Sequence, residues 1–571
     1  MKRTAHWKAA AVGTAAVGLL GSTLALSAGA GAVSGGTAKH VLLISVDGLH
    51  ASDLATCEAN AAAKQPGGCP TLASLAGDGT TYTDAHASEP SDSAPGLMAL
   101  VTGGDPKLKG VYYDDSYDRT GYKPVAQIPS GVQNCTGPAG TEAAYFENLD
   151  AGAPTAQNPN NPNRPIMNAR LDPTQFVYSI QNGKCQPLAP NDFLRSNSIF
   201  SVAHQSGMYT AWADKHPVYN AEIAGDGTPD AVNDPFNTEI NADIVPPQLT
   251  DTRDVTVSFN PDNPDGTGPF FLTDSMQNVE SYDQIKVDAI LNQIDGFNSA
   301  HTERAPVPAI FGMNFQTVSV GQKLVRTDCR TAPCAGYVPG GYEPGSTSTS
   351  PVFTPQLAGG IESVDKALKS MVDELSAQKV LSSTTIIITA KHGQSPIDPS
   401  KLALIGHAEQ DVLTNAGVNI AQLTDDDVAL IWLADQGQTS QAVSALNADK
   451  SGANTAHIQT VLSGQALAAQ FNSPTQDPRT PDIIVEPIPG TIYSHSSAKV
   501  MEHGGFAEDD THVAMLVVNG ANIGTNTPGN GSNNTAVRTY QVAPTILSLL
   551  GLNPNKLDSV RTEGVKVLPG Q

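Results

Sequence analysis

Basic residues are scarce in this chain. Its 571 residues carry 32 Lys and Arg against 56 Asp and Glu, a formal net charge of −24, and a surface of that sign excludes non-specific binding to nucleic acid. Aromatic residues make up only 5% and charged residues only 15%. Hydrophobic residues still reach 39%, enough for one large core or two smaller ones, so disorder throughout is excluded. None of the six cysteines forms a C-x2-C pair, which weakens a zinc-site reading of them. After the first 32 residues no stretch approaches the roughly 20 apolar residues needed to span a bilayer. What is plentiful is Gly (52) and Pro (41), as expected of many turns and long loops around a regular core.

Lys2, Arg3 and Lys8 precede an alanine-rich apolar stretch ending near Leu26, followed by A-x-A-like sites at 28–30 and 30–32. Residues 1–32 therefore read as a secretory signal peptide, and the mature chain is expected to be secreted with no membrane anchor. The cysteines fit export. They fall as near neighbours, Cys57 with Cys69, Cys135 with Cys185 and Cys329 with Cys334, and three local disulfides are the simplest connectivity.

Unbroken apolar runs at 41–46 (VLLISV), 309–315 (AIFGMNF), 384–390 (TTIIITA), 428–433 (VALIWL), 483–485 and 513–518 (VAMLVV) suit strands buried on both faces of a parallel sheet. Between them lie helical patterns. Ile361, Val364, Leu368, Met371, Val372 and Leu375 share one face, 285–294 forms a second helix, and 540–550 a third that stops at Gly551. Alternation of strand and helix implies a layered α/β fold. Segments 151–165, 260–269 and 336–355 read as loop insertions. Residues 401–480 hold one strand and a short helix at 441–448, as in a small inserted cap lobe, leaving 33–400 and 481–571 as the main domain.

In open parallel sheets ligands sit beyond the carboxyl ends of the strands, so the polar residues that follow the apolar runs carry the chemistry. These are Asp47, Gln316 and Lys391-His392-Gly393. Ser93 precedes Ala94-Pro95-Gly96 and a short helical pattern to Thr102. As a helix cap it would stand where backbone N–H groups and the helix dipole favour a phosphate or sulfate.

Together these segments resemble the alkaline phosphatase superfamily and, within it, the type I phosphodiesterase/nucleotide pyrophosphatase group. HVLLISVDGL (40–49) is similar to its opening strand with the metal-binding aspartate. SAPGLMALVTGG (93–104) is similar to its nucleophile helix, with serine where the group commonly has threonine. TIIITAKHGQ (385–394) resembles the strand that ends D-H-G, MEHGGF (501–506) the late H-G segment, and YQVAPTILSLLGL (540–552) the terminal helix. The resemblance implies a three-layer fold with a central, mostly parallel sheet, and a hydroxyl nucleophile between two metal ions, usually zinc, held by three aspartates and three histidines.

Carried over residue by residue, Ser93 matches the nucleophile and Asp47, His392 and His503 match metal ligands. Lys391 stands in place of the aspartate of D-H-G. Val318 and Gln322 replace the aspartate and histidine of D-x-x-G-H. One carboxylate and two imidazoles carry too little charge to hold two divalent ions together, so at most one ion, zinc by analogy, or none is expected. Lys391 inverts the local charge. Its ammonium can neutralise a phosphoryl oxygen in place of a metal, and a buried lysine can also act as a base.

Lys215 and Gln322 are candidate substrate contacts, whereas His86, Glu89, Asp92, Asp214, His216 and 508–512 are expected to be structural or solvated. The implied activity is hydrolysis of phosphate esters, small or polymeric, diesters before monoesters, through a phosphorylated Ser93. Two alternatives stand beside it: a phosphonate or sulfate ester hydrolase, weakened because Leu97 replaces the arginine of the sulfatase signature, and a non-catalytic binding protein on the same fold.

Overall fold

The computed structural model describes residues 38–144, 171–240, 272–274, 276–324, 340–495, 499–525 and 529–571. The leader, the insertions at 151–165 and 260–269, and the Cys329–Cys334 pair lie outside them. Cys57–Cys69 and Cys135–Cys185 are both disulfides.

His40–Val46 is the central strand of an eight-stranded sheet. It pairs in parallel with Ile310–Phe315 on one side and Thr384–Thr389 on the other. Ala211–Asp214 and Asp234–Asn237 extend the parallel half, while Met515–Asn519 adds antiparallel to Thr384–Thr389 and is followed by Thr80–Tyr82 and Gly531–Asn533. Strand side chains alternate between two cores. Leu42, Ile44 and Val46 pack beneath the helices Met276–Ile294 and Pro355–Ala377. Val41 and Leu43 face the opposite layer, where the helices Ser93–Thr102 and Val542–Leu549 lie. A sheet buried on both faces accounts for runs with no polar alternation. This is the expected three-layer α/β architecture. Gly551, at φ +71°, follows the terminal helix as the sequence indicated.

Residues 401–480 hold more than one strand and a helix. A four-stranded antiparallel sheet joins Ile420–Asp425, Ala429–Leu433, Ile483–Pro487 and Ile458–Ser463, in that order. Ile483–Pro487 lies beyond residue 480, and we propose that the lobe extends to include it. The helices Ala408–Asn415 and Thr439–Ser451 cover one face through Leu413, Ala442 and Leu446. Leu430, Trp432 and Ile484 on the other face pack on Tyr112 and Tyr113 of the main domain. The hairpin turn then reaches inward: Tyr113 Oη donates to Asp426 at 2.7 Å and to the His503 carbonyl at 3.2 Å.

Candidate active site

Four loops leave the carboxyl edge of the parallel half and converge on one buried point. Asp47 follows the central strand, Gln316 follows Ile310–Phe315, Lys391 and His392 follow Thr384–Thr389, and Lys215 follows Ala211–Asp214. The helix Ser93–Thr102 points its N-terminus at the same place. Its cap is Asp92, which accepts from the Ala94 amide at 3.0 Å, so Ser93 is the first helical residue and not the cap expected from the sequence. That shift frees the serine hydroxyl for other partners.

Ser93 Oγ lies 3.0 Å from His392 Nε2 and accepts from Lys215 Nζ at 2.8 Å. His392 Nδ1 is 2.8 Å from the Gly393 carbonyl oxygen, which can only accept. In its neutral form the imidazole therefore keeps its proton on Nδ1, leaving Nε2 as an acceptor aimed at the serine hydroxyl. Asp47 Oδ2 is 3.4 Å from Ser93 Oγ and accepts from the side-chain amides of Gln316 at 2.6 Å and Asn314 at 3.1 Å.

Lys391 is fully buried. Its ammonium lies 3.1 Å from Asp214 Oδ1 and 3.5 Å from Asp47 Oδ2, with the Tyr219 ring centroid at 4.9 Å. Lys215 Nζ is 4.0 Å from the same Asp47 oxygen. Burial opposes ionisation of Asp47, but Lys391, His392 and Lys215 together outweigh it and hold the carboxyl well below the usual range. His503 packs its ring 4.2 Å from that of His392. Burial, reinforced by Lys323, His392 and Lys215, holds His503 well below its ordinary value, so it is neutral.

Ser93, Asp47, Lys391, His392, His503 and Lys215 are thus brought together. Gln322 is not with them. Its amide donates to the Gly48 carbonyl at 2.8 Å and to Tyr342 Oη at 2.9 Å, in a buried network with His50 and Asp53. Gly48, at φ +80°, permits this, because a side chain there would come within 2.2 Å of Gln322 Oε1. The sequence did not single out Asn314, hidden inside an apolar run, or Tyr219. It expected Asp214 to be structural, although Asp214 carries the Lys391 ammonium.

The donor set around Ser93 does not fit a divalent ion. An ion on Asp47 would meet two ammonium groups within 4.0 Å of the coordinating oxygen, and like charge at that distance is strongly unfavourable in a buried site. Among the described residues, three groups do bring His, Asp and Glu ligand atoms within 4.8 Å of one another: Asp84, His86 and His512; His407, Glu409 and Asp425; and Asp426, Glu502 and His503. None includes Asp47 or His392. Glu502 in the last group is already paired with Lys323 at 2.7 Å and with Lys499.

Gly96 sets the distance between nucleophile and lysine. A Cβ at this position would fall 2.3 Å from the Lys391 carbonyl oxygen and 2.9 Å from its Cβ, so only glycine lets the helix approach. Gly96→Ala is expected to lower unfolding free energy by about 1–3 kcal/mol through overpacking and to reduce turnover by displacing Lys391. Denaturant unfolding beside steady-state kinetics checks both.

Among curated proteins none matches the sequence. Solved structures do match the fold. Alkaline phosphatase PafA is 12% identical with a TM-score of 0.53, the alignment covering 90% of this chain and 96% of that one. Murine ectonucleotide pyrophosphatase/phosphodiesterase 5 is 13% identical with a TM-score of 0.48 over the same shares. The family model for type I phosphodiesterase/nucleotide pyrophosphatase matches residues 41–512, a span that opens in the central strand, takes in Ser93, Lys391, His392 and His503, and closes just before Met515–Asn519. On that match the chain belongs to the type I phosphodiesterase/nucleotide pyrophosphatase family.

Proposed function

We propose that this phosphoester hydrolase cleaves phosphodiesters through Ser93, with the ammonium groups of Lys391 and Lys215 in place of metal ions. The observation that carries the reading is the serine hydroxyl itself, 3.0 Å from an accepting imidazole nitrogen and 2.8 Å from a lysine ammonium. His392 Nε2 takes the hydroxyl proton as Oγ attacks phosphorus. The P–Oγ bond forms as the ester P–O bond breaks. Lys215 and Lys391 offset the charge on the non-bridging oxygens, and the leaving oxygen is protonated from solvent. Water then attacks the phosphorus of this Ser93 intermediate, which still carries the second ester group; the P–Oγ bond breaks, His392 returns its proton to Oγ, the water's proton passes to solvent and a phosphomonoester leaves. Asp47, held ionised, orients the two ammoniums and the hydroxyl.

Charge balance favours diesters. Asp47 and Asp214 already offset the two lysines, so a monoanionic diester meets less repulsion there than a dianionic monoester. On matched aryl substrates, kcat/KM is expected to be highest for the phosphodiester, lower for the phosphomonoester and lowest for the sulfate ester. A preference for the monoester or sulfate overturns this reading of the site.

Secretion belongs to the same proposal. The two disulfides are what an oxidising compartment produces, and the leader-like residues 1–32 supply the route. No helix among the described residues is long and apolar enough to cross a membrane.

A further inference from the structure

The inserted lobe carries a group of ligands that the hydrolytic site does not use. His407 and Glu409 stand at the start of the helix Ala408–Asn415, and Asp425 ends the strand Ile420–Asp425. His407 Nδ1 is 2.6 Å from Asp425 Oδ2, and one ligand atom from each of His407, Glu409 and Asp425 lies within 4.8 Å of the others. Glu409 is the unexpected member. It is fully buried, yet neither of its carboxylate oxygens has a hydrogen-bond partner, an arrangement that is unfavourable unless a proton or a cation compensates.

A further imidazole stands beside the group. The His495 ring stands edge-on to that of His407, with centroids 5.3 Å apart. The chain makes room for it, since Gly406 takes φ +63° and a side chain there would come within 2.2 Å of His495 Cε1.

We infer that the lobe binds one divalent transition-metal ion, zinc before its neighbours, through His407, Glu409 and Asp425, with His495 available as the fourth ligand. Imidazole together with carboxylate suits zinc. Tetrahedral bonds of about 2.0–2.1 Å place ligand atoms roughly 3.3 Å apart, so His407 Nδ1 and Asp425 Oδ2, now 2.6 Å apart, would separate slightly to admit the ion. The ion would tie the lobe's first helix to the strand whose following turn, through Asp426, touches Tyr113 beside the hydrolytic site.

The test titrates zinc chloride into the chelator-treated full chain by calorimetry and follows thermal unfolding with zinc or with EDTA. One zinc per chain is expected at this site, with a higher Tm. Glu409→Gln and His407→Ala should each weaken that binding by about a hundredfold or more, since even the outer partners of metal ligands are worth about 10–100-fold, and abolish the zinc-dependent rise in Tm. The His407 side chain is 42% exposed, so its alanine variant remains folded even if the buried Glu409→Gln does not. His503→Ala and His86→Ala, which disrupt the other two groups, should keep this binding. Failure of the wild type to take up zinc, His407→Ala binding as the wild type does, or loss of the site in His503→Ala or His86→Ala overturns the inference.

Discussion

Ser93→Ala is expected to abolish phosphodiester turnover, a loss of about a thousandfold or more, while the unfolding midpoint stays close to that of the wild type. The second half of this expectation follows from the helix cap. Asp92, not Ser93, satisfies the first turn through the Ala94 amide, so removing the hydroxyl costs the helix no capping bond. Lys215 also keeps Asp47 at 4.0 Å. Wild-type protein quenched in acid during phosphodiester turnover should carry on Ser93 the substrate's phosphate with its remaining ester group, detectable by peptide mass spectrometry. Full activity in the alanine variant contradicts the nucleophile assignment.

Lys391→Ala should have the next largest effect. An ammonium aimed at developing phosphoryl charge in a dry site is worth about 3 kcal/mol, so kcat should fall by roughly two to three orders of magnitude. Stability should fall too. Asp214 keeps the Trp212 indole N–H at 3.0 Å and the Lys215 amide at 2.8 Å, but Asp47 and Asp214 both lose their buried countercharge, and breaking such a pair costs about 3–5 kcal/mol. Kinetics must therefore be measured where circular dichroism shows the variant folded. Lys391→Asp separates charge from packing, because it restores the carboxylate that the family carries at this position. It should respond to added zinc more than the wild type does. Unchanged kcat in folded Lys391→Ala would leave the lysine no catalytic part.

The central sheet was legible because parallel strands are buried on both faces. Val41–Val46 and Thr384–Thr389 are buried throughout, and such strands read as uninterrupted apolar runs. Two of the four lobe strands were not legible, for the converse reason. Ile420–Asp425 and Ile458–Ser463 are only partly buried along most of their length, so polar residues interrupt them and no clear period remains.

At the site, the rule that function sits at the carboxyl ends of parallel strands pointed to Asp47, Lys391, His392 and Gln316. Lys215 was weaker, because the strand before it, Ala211–Asp214, is short. Gln322 was placed by its position in a motif, a segment that forms the helix Thr317–Lys323. Its side chain, however, satisfies the Gly48 carbonyl and Tyr342 in a separate polar network, a choice made by tertiary packing that spacing along the chain does not encode. Asp92 and Ser93 are both good capping residues one position apart, and only the fold decided between them.

In the mechanism proposed for Ser93, lysine ammoniums and not metal ions supply the positive charge. The most direct test is phosphodiester turnover of the wild-type chain after exhaustive chelation, with residual metal quantified by mass spectrometry, at a temperature well below the unfolding transition of the stripped protein. kcat/KM is expected to be retained within about twofold and not to rise on adding zinc, since the ion inferred in the lobe touches no reacting atom. Loss of turnover on chelation, restored by zinc in proportion to ions bound, would contradict that mechanism.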